Sequence, residues 1–223
     1  MLHTPYLPPW RLKNGLAMTV YTATRASQNW ESTTTDPEPP YQETIFVGAG
    51  EVPIVGWVAI PPNAHSTIIG TYGITGSLDK QWFLRLLGRK AFAQGYAVVL
   101  FDWRAHGKTA LLSPTLTSDG LYEGEDFVRI AAQAKAMGCP ASFWFTGFSL
   151  GGQLALWAVK AADDLTRGNG NLGLEETDIG GAAVICPSLD STRSLSYLVK
   201  YPLGKYLEQM IARELKKISL ADP

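Results

Sequence analysis

The sequence predicts an α/β fold, in which a mostly parallel sheet is covered by helices on both faces and opens with an antiparallel hairpin. Three observations carry this. The runs "GYAVVLFDW", "ASFWFTG" and "GGAAVICP" are apolar almost throughout, and strands without in–out alternation are buried on both faces, as in parallel sheets. Segments of helical period lie between them, and alternating strands and helices imply layers of helix on sheet. Near the start, "QETIFVG" and "VPIVGWVAI" flank a short break, "AGE", which is the pattern of a hairpin.

The totals agree with one well-packed domain. The chain has 223 residues, 46% hydrophobic and 17% charged, with a formal net charge of -1. That composition supports a sizeable core and excludes a disordered chain. No basic excess exists to follow a phosphate backbone, so no nucleic-acid partner is expected. Cys139 and Cys186 form neither a metal-ligand spacing nor a disulfide framework. No metal and no organic cofactor are expected. No window holds eighteen continuous apolar residues, so no transmembrane segment is expected. The N-terminal "MLHTPYLPPWRLKNG" lacks the apolar run of a signal peptide, and the expected setting is the cytoplasm.

The elements follow in order. Residues 1–41 read as an irregular N-terminal arm, with "SQNWESTTTDPEPP" a polar linker. After the hairpin, "STIIGTY" is a strand that stops at Gly73. "SLDKQWFLRLLGRKAFAQ" is a helix with Ser77 placed to cap it and Trp82, Leu84, Leu86, Leu87, Ala91 and Phe92 on its apolar face. "GYAVVLFDW" is the next strand. "GEDFVRIAAQAKAMG" is an amphipathic helix burying Phe127, Ile130, Ala131, Ala134 and Met137, and Gly138 ends it. "ASFWFTG", "GGQLALWAVKAADDL" and "GGAAVICP" read as strand, helix and strand.

Three glycine patterns need sorting. "GNGNLG", residues 168–173, matches the dinucleotide fingerprint in letters but follows a helix and leads to a strand, the reverse of the required context. "HGKT", residues 106–109, resembles the end of a P-loop, yet Asp102 stands where that loop needs its first glycine. "GFSLGG" is different. Gly147, Ser149 and Gly151 form G-x-S-x-G between an apolar strand and a helix. A serine there stands on a tight turn with its hydroxyl above the sheet edge, and the crowding two residues either side admits only small residues. Ser149 is therefore the candidate nucleophile. The amide of Leu150, at the helix N-terminus, is a candidate oxyanion donor. The second is the amide of Ile74, in "TYGITGS", where Gly73 lets the chain turn.

Taken together, these stretches resemble the α/β-hydrolase superfamily and, within it, the YheT-like esterase branch. The resemblance runs from "PPWRLKNGLAMTVY" through "YGITGS", "FDWRAHGKT", "DGLYEGEDFVRIAAQAKAMG" and "FTGFSLGGQLALW" to "CPSLD". It departs at Tyr72-Gly73, where many relatives have His-Gly, and at Arg104-Ala105, where Arg-Gly is frequent. The resemblance implies a carboxylic-ester hydrolase working through an acyl-enzyme on Ser149, with a small-molecule ester as substrate, lipid-like esters included.

In that superfamily the acid and the histidine follow the serine in the chain. Here His3, His65 and His106 all precede Ser149. His106 follows a strand and lies on the same sheet edge as Ser149. To act as base it would need hydrogen-bond reach and an orienting carboxylate, and the plainer reading is a polar loop residue. His65 precedes a strand and belongs to the opposite edge. Asp190, after the sixth strand, reads as structural. The expectation is an α/β-hydrolase core of six strands over 42–190, lacking the last two, with 191–223 beginning a helical cap or lid. Such a chain would be a fragment or a truncated form, little active without its acid and base. The alternative is a non-catalytic binding or regulatory protein on the same fold.

Overall fold

The computed structural model describes residues 7–113, 115–118, 120–167, 172–200 and 202–220. His3 and the first four residues of "GNGNLG" lie outside the described residues. The chain divides into two compact units, 1–36 and 37–223.

The first unit corrects the expected irregular arm. Helix α1, Gly15–Tyr21, continues through a π-helical turn, Thr22–Ala26, into α2, Ser27–Asn29, and a 3-10 turn, Trp30–Thr33. No glycine or proline interrupts residues 16–36, so nothing in the backbone forbids a helix there. Local bonds such as Thr19 Oγ1 to the Gly15 carbonyl, 2.9 Å, occupy its polar side chains.

The second unit holds one six-stranded sheet. Its strands are β1 (Gln42–Val47), β2 (Pro53–Ala59), β3 (Ser66–Thr71), β4 (Tyr96–Phe101), β5 (Phe143–Phe148) and β6 (Ile179–Ile185), in the spatial order β1-β2-β4-β3-β5-β6. β1 and β2 form the expected antiparallel hairpin, β2 runs antiparallel to β4, and β3 through β6 are parallel. Between β1 and β2, Gly50 and Glu51 turn the chain with φ of 63° and 64°.

Alternation along β4 and β5 separates the two faces. On one, α3 (Trp82–Ala93) buries Leu84 near Leu100 and Thr146, where a side chain on Gly70 would meet all three. Gly88 of α3 leaves room for the Tyr41 hydroxyl, which a Cβ there would meet at 2.2 Å. On the other face, α5 (Leu121–Ala136) sets Phe127 edge-on against Phe101 at 4.7 Å and Phe145 at 5.4 Å. α6 (Leu150–Arg167) packs beside α5 so closely that a Cβ on Gly124 would come within 2.8 Å of the Trp157 carbonyl. A short helix, α4 (Gly107–Leu112), follows the β4 loop. The C-terminal helical stretch is two helices, α7 (Ser191–Lys200) and α8 (Pro202–Leu220). Proline lacks the amide that would carry one helix through.

Two sequence expectations need adjustment. Ser77 makes no side-chain cap; a 3-10 turn, Leu78–Lys80, precedes α3, with the Lys80 amide bonded to the Ser77 backbone carbonyl and the Leu78 amide to Asp102. Met137 lies 41% exposed just past α5, while Phe127, Ile130, Ala131 and Ala134 are fully buried as expected. Gly138, at φ 96°, supplies the left-handed stop.

One buried ion pair joins the β4 loop to α5. Arg104 donates from Nε and Nη2 to the Asp126 carboxylate at 2.7 and 2.8 Å, and from Nη2 to the Ala49 carbonyl at 2.6 Å. Asp126 also accepts the Ala49 amide at 2.7 Å. Removing one partner leaves the other charge buried. Asp126→Ala should lower unfolding stability by about 3–5 kcal/mol, read as a shift of the urea midpoint with the slope unchanged.

Candidate active site

β5 ends at Phe148 and α6 begins at Leu150, so Ser149 alone makes the turn. Its φ is 55°, a left-handed value that non-glycine residues adopt rarely. The turn is held from three sides. The Ser149 amide donates to the Ile185 carbonyl of β6 at 3.0 Å, and the Ser149 carbonyl accepts the amides of Gly152 and Gln153 at 3.0 and 3.2 Å. The flanking glycines are steric necessities. A Cβ on Gly147 would stand 2.1 Å from the Gly151 carbonyl oxygen, and one on Gly151 would stand 2.3 Å from that of Tyr72. The half-buried Ser149 thus sits at the carboxyl end of the parallel strands, at the head of an eighteen-residue helix.

The loop after β3 lies directly beside it. The register pairs Gly70 with Thr146 and Thr71 with Gly147, which brings the end of β3 level with the turn. A Cβ on Gly73 would be 3.0 Å from the Ser149 Cβ and 3.1 Å from the Phe148 carbonyl oxygen. Ile74 follows at once, and Thr75 takes φ 65°. Gly73 therefore lies against Ser149, with Ile74 next after it in the chain and Leu150 next after Ser149.

Asp102 fixes this loop from below. It is buried, and its carboxylate accepts the Tyr72 hydroxyl and the amides of Leu78 and Lys108, the latter two at 2.9 Å each. Burial nevertheless raises its pKa above the ordinary range, the hydrogen bonds pulling the other way. Gly107, at φ 52°, leaves no room for a side chain, since a Cβ would meet the Asp102 carboxyl carbon at 2.2 Å. The Lys108 ammonium pairs with Glu43 at 2.5 Å, so "HGKT" serves this junction.

His106 lies in the loop between β4 and α4. It is 4% exposed. Its ring stacks on Trp103 at 3.7 Å, its Nδ1 lies 3.1 Å from the Arg104 carbonyl, and its Nε2 accepts the Thr75 amide at 3.4 Å. His65 sits at the other edge, 3.2 Å from the Gln94 carbonyl. Asp190 caps α7, accepting the Arg193 amide at 2.8 Å. The sequence did not reveal that Tyr72 and Asp102 are bonded; Tyr72 stands next to the flagged Gly73, but nothing local ties it to a residue thirty positions on. Among the described residues, no group of three or more His, Cys, Asp or Glu could hold a metal ion, and no helix is long and apolar enough to cross a membrane.

Because the glycines are closely enclosed by backbone, Gly147→Ala and Gly151→Ala should each cost about 1–3 kcal/mol or more. Gly138→Ala has open space but a left-handed backbone, and should cost only about 1 kcal/mol. Denaturant titration of the three variants checks the order.

Comparison with known proteins agrees with this geometry. Residues 73–217 match the profile of the Alpha/beta hydrolase family. A Synechocystis sp. protein described as a candidate esterase is 55% identical over 219 residues, which are 96% of this chain and 59% of that protein. The chain thus spans about three fifths of that relative's length. Among solved structures, the Pyrococcus furiosus esterase Pf2001 superposes with a TM-score of 0.58 at 21% identity, over 78% of this chain and 63% of that one. The carboxylesterase EstE1, from a metagenomic library, gives 0.54 at 18% identity, over 88% and 65%. The fold, the sequence relative and the family profile agree: this chain belongs to the alpha/beta hydrolase family.

Proposed function

We propose that this polypeptide is the serine-bearing part of a carboxylic-ester hydrolase, and that Ser149 is its nucleophile. The observation that carries the reading is the left-handed Ser149 at the tip of β5, with Gly73 packed against its Cβ. That arrangement is a nucleophile elbow. It lifts the hydroxyl off the sheet edge and aims the α6 amides at the same space. In the proposed mechanism, the Ser149 hydroxyl attacks an ester carbonyl and the amides of Leu150 and Ile74 hold the oxyanion. The alcohol leaves with the proton, and water then hydrolyses the acyl-enzyme.

The acid and the base are, in this reading, supplied from outside these 223 residues. The two described histidines support this. His106 has both ring nitrogens against backbone groups, and His65 is at the far edge. β6 is an edge strand with Ile185 47% exposed, where a further strand could add. The substrates are small-molecule esters, which the esterase relative supports, and the YheT-like motifs favour acyl esters of lipid-like character.

The test is hydrolysis of p-nitrophenyl butyrate and octanoate. The 223-residue chain alone should turn over very slowly. A longer polypeptide, extended by the region that completes the Synechocystis relative, should turn over with an initial burst. Ser149→Ala should lower kcat of the longer form by about 10⁶-fold, since a serine and its base act as one unit. Turnover that survives Ser149→Ala overturns the assignment, and robust turnover by the short chain places the base within it.

A further inference from the structure

The loop carrying Ile74 contains a conformation that its sequence does not favour. Thr75 is β-branched and has φ 65°. A non-glycine residue in that region persists only where its surroundings over-determine it. Asp102 grips the loop at its two ends, through Tyr72 and Leu78. The middle is held by the bond from the Thr75 amide to His106 Nε2. We propose that His106 is a positioning residue for the oxyanion loop, its unprotonated Nε2 accepting the Thr75 amide and so setting the direction of the preceding Ile74 amide. This rests on the reading of Ile74 as an oxyanion donor.

The neighbourhood specifies one form of the ring. If Nε2 accepts, Nδ1 must carry the proton, and the Arg104 carbonyl is there to receive it. The Trp103 stack fixes the ring plane. A protonated ring has no acceptor, so the Thr75 bond cannot coexist with the imidazolium. Burial pushes the His106 pKa below 6.5; the Arg104 carbonyl and the Glu123 charge act in the opposite direction. The surrounding ionic groups are otherwise engaged. On its own loop, Arg104 is paired with Asp126; Lys108 of α4 is paired with Glu43; Asp102 is bonded to Tyr72, Leu78 and Lys108; and Glu123 of α5 accepts from Thr117, Ser118 and Gly120. A base whose folded pKa is lowered contributes stability that is complete above its unfolded value and lost as the pH falls through the folded one. The loop is therefore held above about pH 6.5 and released below the lowered value.

Amide-resolved NMR on the 223-residue chain tests this without using Ser149 chemistry, so its outcome is separate from that of the ester assay. At pH 7.5, long-range ¹⁵N–¹H correlation should show His106 neutral and protonated on Nδ1. As the pH is lowered, the Thr75 and Ile74 amide shifts should move with the His106 midpoint. His106→Phe keeps a ring on Trp103 but offers no acceptor, and should speed Thr75 exchange by roughly five- to tenfold, the loss of one hydrogen bond. His106→Gln can place its Oε1 near the Nε2 position and should restore protection and remove the pH dependence. A proton on Nε2 at pH 7.5, or Thr75 and Ile74 amides that ignore the His106 titration, overturns the proposal. If His106→Phe does not fold, the wild-type titration still decides between these results.

Discussion

A single buried carboxylate ties together the two loops that form the floor of the site. Asp102 leaves β4 and meets the Tyr72 hydroxyl from the end of β3, the Leu78 amide from before α3, and the Lys108 amide from α4. Its own carbonyl accepts the Thr109 hydroxyl at 2.6 Å, and that hydroxyl accepts the Val55 amide of β2 at 2.9 Å. One residue thus reaches β2, β3, α3 and α4. Burial, joined by the Asp79 charge, outweighs the hydrogen bonds and raises the pKa. The steric demand is equally strict, because Gly107 must turn with a left-handed backbone directly over the carboxyl group. With Tyr72 fixed at its hydroxyl, its carbonyl lies against Gly151 and its successor Gly73 against Ser149. The shape of the serine turn is therefore set partly from across the sheet.

This arrangement explains what the sequence could and could not say. All six strands were legible because apolar runs bounded by glycine and proline are local signals. Gly147 and Gly151 were legible because the crowding that selects them acts within five residues. The Tyr72–Asp102 and Arg104–Asp126 bonds were not, since they join positions 30 and 22 residues apart and have no local signature. The Ser77 side chain is not a cap because the Lys80 and Gln81 amides bond the Ser77 backbone carbonyl, at 3.0 and 3.1 Å. The helical stretch from Gly15 has no strong local signal: its polar and β-branched residues are weak helix formers, although no glycine or proline interrupts the run before Pro37. Propensity differences of a few tenths of a kcal/mol per residue do not settle such a case.

Burial falls from the centre of the sheet toward both edges, β1 being mostly exposed. β4 is buried from Ala97 to Phe101, β5 alternates at its start, and β6 is nowhere fully buried. Beyond it, Leu195, Tyr197, Val199, Tyr206 and Met210 of α7 and α8 are exposed, while Leu207, Ile211 and Leu215 are half-buried. The side chains of Leu203 and Ile218 lie outside the described ones. Burying an aliphatic side chain is worth about 1.5–3 kcal/mol, so the exposed set represents free energy comparable to the net stability of a domain, about 5–15 kcal/mol. An edge strand of this kind readily pairs with another strand. The serine turn stands at this border, with one support, Ile185, on a strand that has no fully buried residue.

That position bears on how strain is held. Ser149 and Thr75 both take left-handed backbones, and Gly73 lies between them with contact to the Ser149 Cβ. Each such residue costs of order 1–3 kcal/mol. Relaxing either would move its amide neighbour, Leu150 in one case and Ile74 in the other. The two are restrained from different sources: Ser149 by β6 and the first turn of α6, Thr75 by His106 and, through the loop ends, by Asp102. The half of the site made by β3 and β4 is thus anchored in the most buried part of the molecule, whereas the half made by Ser149 depends on β6.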